Sequence, residues 1–172
     1  FLSHAKLAAG RADLVTVRVM GMADGGPALD YTVNSAVGYP DLTGTGPDPV
    51  NHVLPAWDLL TGAYAAFAML AAIQHRSATG LGQEVRVPLS DVAIGTVANL
   101  GSLAEVLTTG ADRERLGNTV YGAFGRDFVT ADGVRLMIMA ITPRQWTGLV
   151  QVLNIADDIA AVERSRAVSF DR

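Results

Sequence analysis

PAWDLLTGAYAAFAMLAAIQHRSATGLG, residues Pro55 to Gly82, decides how the rest of the chain is read. After Asp58, apolar residues recur at helical spacing: Leu59, Ala63, Phe67, Leu70 and Ile73. Ala65, Ala66, Met69 and Ala72 make the other faces nearly as apolar. A helix that is apolar all round belongs inside a protein. Pro55 opens the segment, and Gly80, just past the basic pair His75 and Arg76, fits the residue that stops it. The pattern therefore sets the carboxylate of Asp58 at the N-terminal end of a buried helix. Thr61, Gly62 and Ala63 are small enough to leave space beside it.

Two readings of Asp58 rest on the same physics. As a cap or first-turn acid, it accepts the free N–H groups of the helix end and gains from the helix dipole. As a carboxylate nucleophile it needs negative charge at neutral pH, and a helix N-terminus favours that charge. Spacing alone does not separate the two.

Upstream, Leu14 to Met22 alternates Val15, Val17 and Val19 with Thr16 and Arg18, which is a strand pattern. It follows a short segment, FLSHAKLAAG, that reads as the end of a helix stopped at Gly10. Helix followed at once by strand points to an α/β layered fold. Gly21 to Pro55 is a long loop rich in Gly and Pro, with a short helix expected from about Tyr31 to Val37. Downstream, Glu84 to Val87 reads as a second strand closed by Pro88. Ser90 then caps a long helix running to about Leu107, with Asp91 in its first turn.

TTGADRER breaks the pattern, and we read 111–120 as a linker. Residues 1–110 then form part of one module and 121–172 the start of another. The second opens with two β-rich runs around the turn signal ADG, a hairpin. Pro143 starts a helix whose inner face is Trp146, Leu149, Val150 and Leu153. A charged helix is expected from Asp157 onward. The chain begins at Phe1 rather than Met, and we expect it to be an internal piece of a longer protein.

Composition narrows the function. The 172 residues are 49% apolar, enough to bury a core, and carry a formal charge of −4. The 13 Lys and Arg are scattered, so no basic stripe argues for nucleic acid or an anionic membrane. The longest unbroken apolar run, Ala63 to Ile73, is shorter than a bilayer requires. There is no cysteine, which excludes disulfides and thiolate metal sites and fits a cytoplasmic protein. HExxH, GxGxxG and GxSxG are all absent, so no metal centre, dinucleotide cradle or serine hydrolase elbow is indicated. GLG at Gly80 to Gly82 reads as a helix-to-strand turn, and GAFG at Gly122 to Gly125 precedes a strand. Of the three histidines, His75 reads as solvent-facing. His52 lies six residues before Asp58, next to Asn51. It is either a loop histidine with a local hydrogen bond or a donor to an anionic substrate group beside Asp58.

DYTVNSAVGYP from Asp30, the Pro55 to Gly82 stretch with QEVRVPLSDVA after it, YGAFGRDFVTADG and ITPRQW together resemble the family III CoA-transferases. The resemblance runs from Leu14 to about Leu153. Its most specific piece is an Asp opening an Ala-rich helix that ends in HRSATGLGQ and a strand. It implies a Rossmann-like large domain, only partly present, joined to the start of a smaller α+β domain. It also implies interlocked homodimers of the full-length chain. No permanently bound cofactor is implied, since coenzyme A enters as an acyl-CoA substrate and a carboxylic acid is the other partner.

The resemblance makes Asp58 the nucleophile, forming an aspartyl-CoA intermediate, with helix-end N–H groups as expected oxyanion donors. It groups Asp30, Asn51, His52, Gly122 and Gly125 with the substrate or CoA contacts. Where the racemase branch carries a catalytic histidine this chain has Leu29, and where it carries a glutamate this chain has Thr142. Leucine cannot move a proton, so racemisation is not expected. DYTVNSAVGYP with GPDPVNHVLPAWD resembles the branch that moves CoA between two carboxyl groups of one C5 dicarboxylate. A non-catalytic relative serving only in assembly would show the same motifs, and the length of the parent reading frame separates these cases.

Overall fold

The computed structural model describes residues 3–169, and the chain divides into two compact units with the boundary between Arg115 and Leu116. The first unit is an α/β layer. Strand β1 (Thr16–Met20) pairs in parallel with β2 (Glu84–Pro88), Val17 opposite Val85 and Val19 opposite Val87. A parallel pair needs a long crossover. Here it contains α2 (Asp30–Ala36), α3 (Tyr39–Leu42) and α4 (Ala56–Thr79). The strand ahead of it is reached from α1 (His4–Ala8), which has its own N-cap in Ser3 and so is a complete short helix rather than the tail of a longer one.

Helix α4 begins after Pro55 and stops at Gly80, whose φ of 75° is left-handed. Gly82 then passes so close to β1 that a Cβ there would lie 2.0 Å from the carbonyl oxygen of Leu14. Only glycine fits that crossing. The core cluster is Val33 of α2, Trp57 of α4, and Leu89, Ala93 and Val97 of α5 (Leu89–Asn99), with Tyr39 and Leu60 packed against it. It therefore sits at the N-terminal turn of α4.

Within this chain α4 is not a buried helix: only Trp57, Thr61 and Ala72 are buried, while Leu59, Phe67 and Leu70 stand exposed. The whole helix, 24 residues, is also long and apolar enough to cross a membrane by length and composition, although its unbroken apolar run is not. Its packing on β1, β2, α2 and α5 is that of a layer in an α/β fold. The helix read as running from Ser90 to Leu107 is two helices. Pro88 precedes α5, so Ser90 lies inside it, and α6 (Ser102–Thr109) departs at 64°. The break falls at Gly101, where φ is 81°.

The Gly/Pro loop before α4 is ordered by hydrogen bonds. Arg115 donates to the carbonyl oxygens of Asp41, Gly46 and Asp48, and the Val50 N–H donates to the carbonyl of Pro40 at 2.9 Å.

In the second unit β3 (Phe124–Val129) and β4 (Arg135–Ala140) form an antiparallel hairpin around Gly133. Asn118 and Arg135 hydrogen-bond Asp127 and hold its carboxyl below the usual aspartate value. Thr142 caps α7 (Pro143–Leu153), accepting the Gln145 N–H, while the Gln145 side chain accepts from the Thr142 N–H. Trp146 of α7 meets Phe124 with ring centroids 5.3 Å apart. Leu153, expected on the inner face, is exposed instead. Helix α8 (Ala156–Arg166) carries the charged tail.

Candidate active site

The N-terminal turn of α4 has to satisfy free backbone N–H groups, and its N-cap, Pro55, has no side chain that can accept them. The acceptor comes instead from the first residue of α2. Oδ2 of Asp30 accepts the Trp57 N–H at 2.8 Å and the Asp58 N–H at 3.2 Å. The Asp30 side chain is 3% exposed, the Trp57 bond is buried and the Asp58 bond part-buried, and hydrogen bonds to a carboxylate are the stronger kind. Its other oxygen, Oδ1, pairs with Nε2 of His52. A carboxylate has only acceptors, so Nε2 carries the proton in that pair.

Around this pair the remaining polar groups close into one network. Trp57 Nε1–H donates to Asn34 Oδ1 at 3.1 Å, and Asn34 Nδ2 donates to Asn51 Oδ1 at 2.7 Å. The His52 N–H donates to the same Asn51 oxygen at 3.0 Å. The His52 ring lies against Tyr31 at 5.7 Å and Trp57 at 6.4 Å between centroids. Thus the loop carrying Asn51 and His52, the helix carrying Asp30 and Asn34, and the turn carrying Trp57 and Asp58 are joined side chain to side chain.

Asp58 stands in the first turn of α4, where the sequence places it. Its side chain is exposed, and its carboxylate accepts no hydrogen bond among the described residues. The reason is that Asp30 already occupies the donors Asp58 would otherwise cap. Nor does the helix end keep N–H groups for an oxyanion. The Ala56 N–H goes to Leu54 O, those of Trp57 and Asp58 to Asp30, and that of Leu59 to Pro55 O. The expected oxyanion donors are therefore already engaged.

Asp30, Asn51 and His52 come together with the backbone of Asp58 in the first unit. Gly122 and Gly125 belong to the second unit. Gly122 is exposed, with φ of 74°, whereas Gly125 is buried and a Cβ there would meet Val120 Cγ2 at 2.6 Å. Sequence reasoning missed Asn34 and Trp57. The available signal was Asp30 and Asn34 at i, i+4, two polar residues on the face of α2 that also carries Val33.

The model of CoA-transferase family III matches residues 2–170. The 2-methylfumaryl-CoA isomerase of Chloroflexus aurantiacus is 46% identical over 99% of this chain and 42% of its own length. The succinate–glutarate CoA-transferase of Agrobacterium fabrum is 31% identical over 84% of this chain and 38% of its own. The chain thus spans about two-fifths of these curated relatives. Among solved structures, Rv3272 from Mycobacterium tuberculosis, orthorhombic form, superimposes with a TM-score of 0.71 at 27% identity, over 95% of this chain and 45% of that one. A CaiB/BaiF family protein from Brucella suis, at 24% identity, shares the fold with a TM-score of 0.69 over 95% of this chain and 44% of that one.

Proposed function

Because the chain belongs to CoA-transferase family III, we propose that the protein it forms moves CoA between a thioester and a carboxylate, with Asp58 as the nucleophile. The observation that carries the assignment to Asp58 is its unpartnered carboxylate beside a helix terminus that Asp30 has already capped. Capping, the structural role open to Asp58, is filled by another residue. What is left is a free carboxylate on a fixed backbone, which suits covalent catalysis.

The steps balance as follows. An Asp58 oxygen attacks the thioester carbonyl, the C–S bond breaks, and CoA leaves as thiolate, giving a mixed anhydride. The thiolate attacks the Asp58 carbonyl carbon of that anhydride. The C–O bond breaks, giving aspartyl-CoA and the free substrate carboxylate. A carboxylate then attacks the aspartyl thioester, and the same two steps in reverse restore Asp58 and form the new thioester. No net proton or electron is gained or lost.

The 46% identity to a 2-methylfumaryl-CoA isomerase favours a narrower reading. The attacking carboxylate is then the second carboxyl of the same C5 dicarboxylate. Asn51 Nδ2 is the donor we assign to that second carboxylate, since its Oδ1 is engaged within the network, while His52, whose Nε2–H is committed to Asp30, holds Asn51 in place through its backbone N–H. Gly122 and Gly125 remain proposed CoA contacts, and the homodimer of the full-length chain remains the proposed working state.

The test incubates full-length protein with 2-methylfumaryl-CoA and an excess of isotopically labelled free 2-methylfumarate. Intramolecular transfer predicts movement of the thioester between the two carboxyl carbons with no label in the CoA ester. Label appearing in the ester at the rate of turnover establishes intermolecular transfer and overturns the narrower reading. No turnover of any acyl-CoA supports an assembly role instead.

A further inference from the structure

We propose that Asp30 and His52 form a positioning clamp for the nucleophile, an inference that rests on reading Asp58 as that nucleophile. The clamp joins the turn carrying Asp58 to the core helix α2 while leaving the Asp58 carboxylate untouched.

Three bonds make the joint. Asp30 Oδ2 bridges the consecutive N–H groups of Trp57 and Asp58, at 2.8 and 3.2 Å. One turn further along α2, Asn34 Oδ1 accepts the Trp57 indole N–H at 3.1 Å. The first two hold the backbone N–H groups of Trp57 and Asp58, the third holds the side chain of the residue before Asp58, and Val33 and Trp57 embed both partners in the core. A local Ser, Thr, Asp or Asn at position 55 would satisfy the same N–H groups. A cap recruited from a residue 27 or 28 positions away does something a local cap does not, because it fixes the helix end against another element.

His52 completes the device from the outside. Its Nε2–H occupies Asp30 Oδ1, which keeps Oδ2 turned towards α4. The ring is held between Tyr31 and Trp57, and its backbone is tied to Asn51. With a side chain 23% exposed, it is also the one edge of the clamp that reaches the surface. A nucleophile that must attack, carry CoA and be released needs a rigid backbone under a free carboxylate, and misplacement by about 1 Å costs on the order of 100-fold in rate. Asp30 and His52 act through Asp58, so they are positioning residues.

The experiment uses full-length protein and 2-methylfumaryl-CoA, reading kcat, KM and the single-turnover rate of adduct formation on Asp58. Asp30→Asn should lower kcat and the adduct rate about 10- to 100-fold while KM changes by less than roughly threefold. A loss confined to KM would make Asp30 a substrate contact and overturn the clamp, as would wild-type kcat. Should Asp30→Asn fail to fold, the His52 pair decides. His52→Ala should slow adduct formation, and His52→Gln, whose amide N–H can replace the Nε2 donor, should restore most of it. A His52→Gln protein as slow as His52→Ala overturns the clamp. An adduct on wild-type Asp58 that forms equally fast in Asp30→Asn sinks the clamp alone, whereas no adduct in the wild type sinks the nucleophile reading and the clamp with it.

Discussion

Asp30 and Asp58 carry the same functional group at one helix end, and their surroundings divide the work. Asp30 is buried, and both of its oxygens are taken by protein donors. Asp58 is exposed and gives up only its N–H. The sequence shows where Asp58 lies, because a Pro, a Trp and an acid in front of an apolar helix are local signals. It does not show which carboxylate caps the helix, because that contact joins residues 28 apart. Asn34 is the residue whose role is most open to measurement. It is buried at 2% exposure and accepts the hydrogen bond of the Trp57 indole N–H. Asn34→Ala leaves a buried indole N–H without an acceptor and should cost about 1–3 kcal/mol. In urea unfolding of the full-length protein the midpoint should fall with the slope preserved. An unchanged midpoint would show that water replaces Asn34 without loss.

At the scale of elements, the strands, α2, α4, the hairpin and α7 follow from period and punctuation. Val15, Val17 and Val19 mark β1, ADG marks the hairpin turn, and Pro143 behind Thr142 marks the start of α7. The break between α5 and α6 is where pattern fails. The apolar stripe from Ala93 to Leu107 continues through Gly101 as if one helix ran across it, and a lone Gly inside a helical pattern is ambiguous. The backbone decides: Gly101 is left-handed, with φ of 81°. Gly101→Ala therefore tests the element by sign. In one continuous helix Ala stabilises by about 1 kcal/mol over Gly. At a left-handed position it destabilises by about 1–2 kcal/mol. We expect a lower thermal midpoint, and a raised one would mean that α5 and α6 form a single helix in solution.

At the scale of the molecule, α4 carries more apolar surface than this chain covers. Leu59, Phe67 and Leu70 are exposed along it, as are Leu103, Val106 and Leu107 on α6. Hydropathy placed α4 inside a protein, yet no sequence rule assigns the elements that pack on it. The chain spans about two-fifths of its curated relatives, and its likeness to solved structures covers 95% of this chain but under half of theirs. The site is thus legible as one wall, a capped helix end with a free carboxylate, and the function attached to it belongs to the full-length protein. The proposed transfer depends on one bond forming, between CoA sulfur and the Asp58 carboxyl carbon. Full-length wild type and Asp58→Asn should each be mixed with 2-methylfumaryl-CoA, quenched and digested, and the peptide containing Asp58 weighed. Asp30 caps this helix end and the Asp58 side chain is exposed, so the exchange should leave the fold intact while removing the attacking oxygen. The account predicts a CoA-sized mass on Asp58 in the wild type, converted to a hydroxamate by hydroxylamine, no adduct in the mutant, and turnover reduced by several orders of magnitude. An unmodified Asp58 in a protein that turns over substrate, with Asp58→Asn equally active, would contradict it.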